Sequence, residues 1–220
     1  MKIVSLSFDD GTIYDLRFIE LLNKHQLNAT FNLNSELENF VWYYEGKPIE
    51  RLKLKEVSDL YVGHEVASHS LTHPYFSQLS ETEIIRQVQN DISNLRNIFG
   101  YEIEGFAFPF SDQTEENIRI VKENVPLTYI RYSFLDNSEV HQDRYHIHIN
   151  ALYDDEDIYD RLNEFKKTPS DAGLFVIAGH SYEFEMKNDW KKIEKLLSYL
   201  ENDNELTVLT LKDAVKKVFG

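Results

Sequence analysis

The chain has 220 residues, 42% of them hydrophobic and 13% aromatic, a balance that excludes a disordered chain and fits one packed domain over 1–220. A formal net charge of −15 argues against nucleic acid and anionic membranes as partners, because both recruit basic faces. Without cysteine there is no disulfide framework and no thiolate nucleophile, so any metal must be held by nitrogen and oxygen.

The first apolar run, 3–8, enters a strand at once and is too short for a signal peptide. No later run approaches a membrane span, so the expectation is a soluble cytoplasmic protein; the sequence leaves its oligomeric state open. Further strands are predicted at 29–33, 65–67, 105–108, 128–132, 146–149, 174–178 and 207–209. Between 35 and 61, Phe40-Val41-Trp42-Tyr43-Tyr44 and then Glu45-Gly46-Lys47-Pro48 predict a small hairpin or flap before a short helix. Its aromatics either line a sugar cleft or pack as a connection on the side of the domain. Ser80 and Glu83 form a capping box for a helix whose apolar face runs Ile84, Ile85, Val88, Ile92, Leu95 and Phe99 and which stops at Gly100. Amphipathic patterns start two more helices near Asp189 and after Thr210. Strands alternating with helices predict an α/β fold with a parallel sheet. A distorted (β/α) barrel of about seven to eight parallel strands is preferred to an open sheet, because the polar clusters follow strand ends, where barrels place their chemistry.

Ser7-Phe8-Asp9-Asp10-Gly11 ends the first strand with adjacent carboxylates, which repel unless a cation or proton lies between them. Taken alone, Asp-Asp-Gly more often marks a turn or a helix N-cap. In Ser68-His69-Ser70-Leu71-Thr72-His73-Pro74 the two histidines fall on one side of a helical turn, which Pro74 limits to a single turn, and they can share a metal. With an aspartate they supply three protein ligands, leaving positions for water and a substrate carbonyl. Zinc suits that set best, and cobalt, nickel or manganese would also be accepted. His146 and His148 alternate with Ile147 and Ile149 and so share a strand face; a second metal there is conceivable, but a half-buried polar face is the ordinary reading.

These clusters resemble, in order and separation, the first two motifs of the polysaccharide deacetylase (NodB-homology, carbohydrate esterase family 4) proteins. The resemblance implies a distorted (β/α) barrel, Asp9 as general base, and Asp10, His69 and His73 on the metal. The third motif is similar to Ala107-Phe108-Pro109-Phe110, which keeps the proline and the aromatic but has alanine where the family's base-orienting arginine stands. Arg131, at the end of the next strand, is the candidate substitute, with an ordinary surface salt bridge as its alternative. Phe175-Val176-Ile177-Ala178-Gly179-His180 resembles the last motif and implies His180 as general acid. Pro109, Phe110 and Tyr182 are the expected substrate contacts, and no Asp-Trp fourth motif is found. The resemblance implies removal of N-acetyl groups from an N-acetylated sugar or oligosaccharide. A non-sugar amide substrate, a metal-dependent phosphoesterase and a non-catalytic glycan-binding module are the rival readings.

Overall fold

The computed structural model describes residues 1–110, 112–135, 141, 143–169 and 173–220. In chain order the elements are β1 (Lys2–Asp9), α1 (Asp15–Lys24), β2 (Thr30–Leu33), β3 (Val41–Tyr44), β4 (Lys47–Glu50), β5 (Glu65–Ser68), α2 (Glu81–Phe99), β6 (Gly105–Ala107), α3 (Glu115–Asn124), β7 (Tyr129–Leu135), β8 (Ile147–Ile149), β9 (Ala151–Leu152), α4 (Ile158–Lys167), β10 (Gly173–His180), α5 (Ser181–Met186), α6 (Trp190–Asn202), β11 (Leu206–Val208) and α7 (Leu211–Phe219). All eight expected strands form, within a residue or two of the predicted limits except that the strand expected at 128–132 runs on to Leu135. The helix after Ser80 carries half of the predicted capping box: the Ser80 hydroxyl accepts from the Glu83 amide, but the Glu83 carboxylate pairs with Arg86 instead of returning to Ser80, and Gly100 closes the helix at φ 77°.

The large sheet is parallel throughout, in the order β8-β7-β6-β5-β2-β1-β10-β9, with β11 pairing the start of β1. The two ends of this order meet because β8 and β9 are almost one strand. β8 pairs with β7, and β9 pairs with β10. Asn150, between them, binds Val176 through its backbone N–H and its side-chain carbonyl. The sheet therefore closes nearly completely into the distorted barrel that the alternation of elements predicts.

One end of the barrel is stoppered. Leu211, Ala214 and Val215 of α7 pack with Ile3, Ala67, Tyr129, Ile147, Leu174 and Val176, which include residues near the starts of β1, β7 and β10. The first turn of α7 is held there by polar contacts. The Leu211 amide donates to Thr30 Oγ1, and buried Glu65 accepts from the Lys212 amide, Thr30 Oγ1 and Tyr129 Oη. With the N-terminal mouth filled, a ligand can reach the barrel axis only at the C-terminal ends of the strands.

Gly105 and Tyr129 are register partners on β6 and β7, and a Cβ at position 105 would fall on the Tyr129 ring. Gly105→Ala should cost about 1–3 kcal/mol, the usual range for overpacking a core. Urea unfolding of the variant checks this; an unchanged midpoint would mean that Tyr129 moves aside freely.

Candidate metal and catalytic site

The C-terminal mouth opens into a cavity of about 700 Å³ lined by Asp9, Asp10, His69, His73, Phe110, His180 and Tyr182 among others. Strand pairing sets their level. Asp9 is the register partner of His180 on one side and of Asn32 on the other, so neighbouring strands deliver the acid and the histidine at the same height. Asp10 leaves the strand at φ 86°, a left-handed conformation uncommon outside glycine, and this turns its carboxylate away from that of Asp9.

The His69–His73 segment is a loop rather than the expected helical turn. Pro74 bars the right-handed helical region at His73, and the chain instead takes left-handed steps at Ser70 (φ 69°) and His73 (φ 52°). Short polar contacts hold these steps: the Ser70 amide donates to Ser68 Oγ, the His73 amide to Ser70 Oγ, and Asn34 Nδ2 to the carbonyls of His69 and Ser70. Buried Asp91, on α2, accepts from Ser68 Oγ and the Ser35 amide beneath the loop.

The imidazoles converge all the same. One donor atom each from Asp10, His69 and His73 lies within 4.8 Å of the others, the one such cluster of three among the described residues. His69 Nδ1 is 2.8 Å from the Ala107 carbonyl, which fixes Nδ1 as the protonated nitrogen and leaves Nε2 bare to face the cluster. Burial pushes the His69 pKa down to about 4, and burial also lowers that of His73, so both are neutral, as ligands must be, at pH 7. Two neutral imidazoles beside an ionised carboxylate match the donor set of a divalent ion. His146 belongs to no such cluster; it pairs with Asp143 and Glu115 instead.

Each aspartate has its own arginine. Arg131, fully buried, donates from Nη2 to both oxygens of Asp9 at 2.6 and 2.7 Å, and Asn32 Nδ2 adds a third bond at 2.7 Å. Burial alone would raise the Asp9 pKa, but the charge of Arg131 above all, with that of His180, outweighs it and holds the group below the ordinary carboxylate value. Arg131 and Ala107 are register partners, so the guanidinium starts one strand over from the place where the resembled motif carries its arginine. A surface salt bridge is ruled out by its burial.

The second arginine, Arg51, was not foreseen. It follows the β3–β4 hairpin and bridges to Thr12 through its backbone, and its guanidinium reaches Asp10. Nη2 donates to Asp10 Oδ1 at 2.9 Å, while Nη1 binds the Asp10 carbonyl and Asn34 Oδ1. Nothing in the local sequence marks this contact, which spans 41 positions and depends on how the hairpin returns. Glu183 also went unassigned, although its position three residues after His180 was a readable signal. It accepts from the His180 amide, and Glu183 Oε2 lies 3.4 Å from His180 Nδ1. Burial disfavours the charged imidazole, but this contact and the charges of Asp10 and Asp9 outweigh burial and raise the His180 pKa to about 9.

Phe110 and Tyr182 line the cavity as expected; Pro109 is buried behind it and only shapes the turn that carries Phe110. The mouth therefore holds an ionised carboxylate, a protonated histidine and a three-residue donor set of the kind that fits a divalent ion. The family model for polysaccharide deacetylases matches residues 1–130, and the chain belongs to that family. It is 29% identical over 128 residues to the peptidoglycan-N-acetylmuramic acid deacetylase PdaC of Bacillus subtilis (strain 168), a match covering 57% of this chain and 25% of that protein. Among solved structures, the Xyl-CE4 domain of a multidomain xylanase from the hindgut metagenome of Trinervitermes trinervoides superposes with a TM-score of 0.63 at 18% identity, over 98% of this chain and 90% of that one. A mutant of BA3943, described as a CE4 family pseudoenzyme, does so with a TM-score of 0.62 at 20% identity, over 97% and 67%. The barrel is thus common to these proteins, and a pseudoenzyme among them means that activity must be argued from the residues in the mouth.

Arg51→Ala should weaken zinc binding by about 10–100-fold, the usual effect of losing a group that orients a metal ligand. Calorimetric titration of the metal-free protein checks this. Undiminished affinity would show that Asp10 keeps its place without Arg51.

Proposed function

We propose that this protein is a metal-dependent N-deacetylase that hydrolyses the acetamide of an N-acetylated sugar. The observation that carries the reading is the convergence, in one mouth, of ionised Asp9, protonated His180 and the Asp10–His69–His73 donor set. A divalent ion held by those three residues, zinc first and cobalt, nickel or manganese also, would polarise the acetyl carbonyl and lower the pKa of water beside it.

The chain's own groups do the rest. Asp9 accepts a proton from the attacking water, and Arg131 keeps it ionised and aimed. The backbone N–H of Phe110 donates to the oxygen that becomes negative as water adds to the acetyl carbon. His180 Nε2, 3.9 Å from Asp10 Oδ2, gives its proton to the amine nitrogen as the C–N bond breaks, with Glu183 holding the ring. Acetate and a free amine leave. Pro109 sets the Phe110 turn, and Tyr182 with Phe110 borders the sugar. The same fold in a pseudoenzyme keeps a glycan-binding role as the competing reading. A matched base and acid favour catalysis, since binding alone needs neither.

The two aspartates should separate by experiment. With N-acetylglucosamine oligomers and added zinc, Asp9→Asn should retain metal while acetate release falls by about 10²-fold or more. Asp10→Asn should lose metal, with activity partly restored by excess ion. The reverse pattern, or no acetate from any N-acetylated sugar with any of the four metals, would contradict the assignment.

The pH profile gives a further check. Arg131→Met removes the charge that holds Asp9 below its ordinary pKa, and burial then pushes that pKa up. The base must be ionised to act, so the acidic limb of kcat/KM should move to higher pH by about 1–3 units. An unmoved limb would mean that Arg131 does not tune Asp9.

A further inference from the structure

We propose that the β3–β4 hairpin is a glycan subsite in which Phe40 and Trp42 stack against a sugar ring next to the one bearing the acetamide. The substrate would then be a neutral oligosaccharide rather than a single sugar. This rests on the deacetylase reading above and adds the substrate's length and charge.

The hairpin is its own two-stranded sheet, tied to the barrel where the Glu50 carbonyl accepts from the Ile13 amide and where Ile49 is buried. β3 and β4 pair only with each other, and the turn at Glu45 and Gly46 takes two left-handed residues, the geometry of a tight hairpin. Strand alternation divides its side chains. Val41 and Tyr43 face solvent, whereas Trp42 and Tyr44 face Tyr182, with ring centroids 5.5 and 5.7 Å from it. The pleat therefore aims Trp42 at the residue beside His180, on the rim of the mouth.

Phe40 and Trp42 both line the same continuous cavity as Asp9, Asp10 and His180. Their rings are stacked with an offset, tilted by 21° with centroids 6.4 Å apart, so together they present one similarly oriented aromatic surface. Phe40 is 52% exposed, a large apolar surface left in water at the edge of a binding cavity. The C–H faces of a pyranose ring bury such surfaces without needing a charge. Across the mouth, Phe110 is backed by Tyr75 in a parallel stack at 4.1 Å, so the cavity has aromatic groups on both sides. Its volume of about 700 Å³ lies in the upper part of the roughly 300–1,000 Å³ range of small-ligand pockets, ample for more than the acetamide and its own ring.

Charge on this wall selects a neutral ligand. Its cation, Arg51, has both Nη groups committed to Asp10 and Asn34, and its guanidinium lies 4.9 Å from the centre of the Trp42 ring. An anionic substituent on the neighbouring sugar would have to take Arg51 away from Asp10.

The test compares acetate release from N-acetylglucosamine and from its β-linked tetramer. Wild-type kcat/KM should be about tenfold or more higher for the tetramer. Phe40→Ala and Trp42→Ala should remove most of that advantage, lowering the tetramer's kcat/KM far more than the monosaccharide's, while Trp42→Phe retains much of it. Phe40, being half exposed, can be removed without disturbing Arg51, so its result stands even if Trp42→Ala perturbs the site. Equal activity on the two substrates, equal loss on both in the Phe40 variant, or preference for a tetramer carrying carboxylates would overturn the proposal. If no sugar releases acetate, the deacetylase reading itself fails. Calorimetric titration of the neutral tetramer into Asp9→Asn protein then decides the subsite alone: binding weakened by Phe40→Ala supports it, and binding that is absent or unaffected overturns it.

Discussion

Two carboxylates side by side in sequence, both buried, form the constraint around which the rest of this mouth is arranged. Left unmatched, each would be driven toward its neutral form by burial and by the other's charge. The fold answers with two arginines from opposite directions, Arg131 from within the barrel onto Asp9 and Arg51 from the hairpin side onto Asp10. Both acids consequently lie below the ordinary carboxylate pKa. A buried pair of this kind adds little to net stability, but losing one partner strands the other and typically costs about 3–5 kcal/mol. Its benefit is geometric. Asp9 remains in the strand, level with His180, while left-handed Asp10 joins His69 and His73 in the donor cluster, so adjacent residues are presented differently.

The barrel was legible because its signals are local. Apolar runs mark the strands, Ser80, Glu83 and Gly100 bracket α2, and Thr210 opens α7, each a matter of a few neighbouring residues. Closure of the sheet was less accessible, since it depends on Asn150 linking β8 and β9 to β10. Of the site, the residues carried by the resembled motifs were readable, and the structure brings Asp9, Asp10, His69, His73 and His180 to one cavity. The helical turn expected between the histidines did not form, because Pro74 and the Ser68 and Ser70 hydroxyls favour left-handed steps instead. Arg51 was invisible for a plain reason: its partner is set by the return path of a hairpin, not by spacing along the chain.

The arginine at the third motif illustrates how a local departure can be offset by register. Position 107 carries alanine, and its neighbour across the β6–β7 pairing is Arg131. Register partners on a parallel pair point to the same face, so the charge enters the same space from one strand further on. Ala107 still takes part in the site, because its carbonyl fixes the tautomer of His69. The polar shell is thus shared among β1, β2, β5, β6, β7 and β10, and no one element carries the site alone.

The claim that the neighbouring aspartates have separate duties, each fixed by its own arginine, is tested most directly by crystals soaked with zinc and measured at the zinc absorption edge. The account predicts one anomalous peak bonded to Asp10, His69 and His73, with Asp9 uncoordinated and still held by Arg131 and with Arg51 still on Asp10. An ion bonded to Asp9, or bridging Asp9 and Asp10 with either arginine displaced, would contradict it.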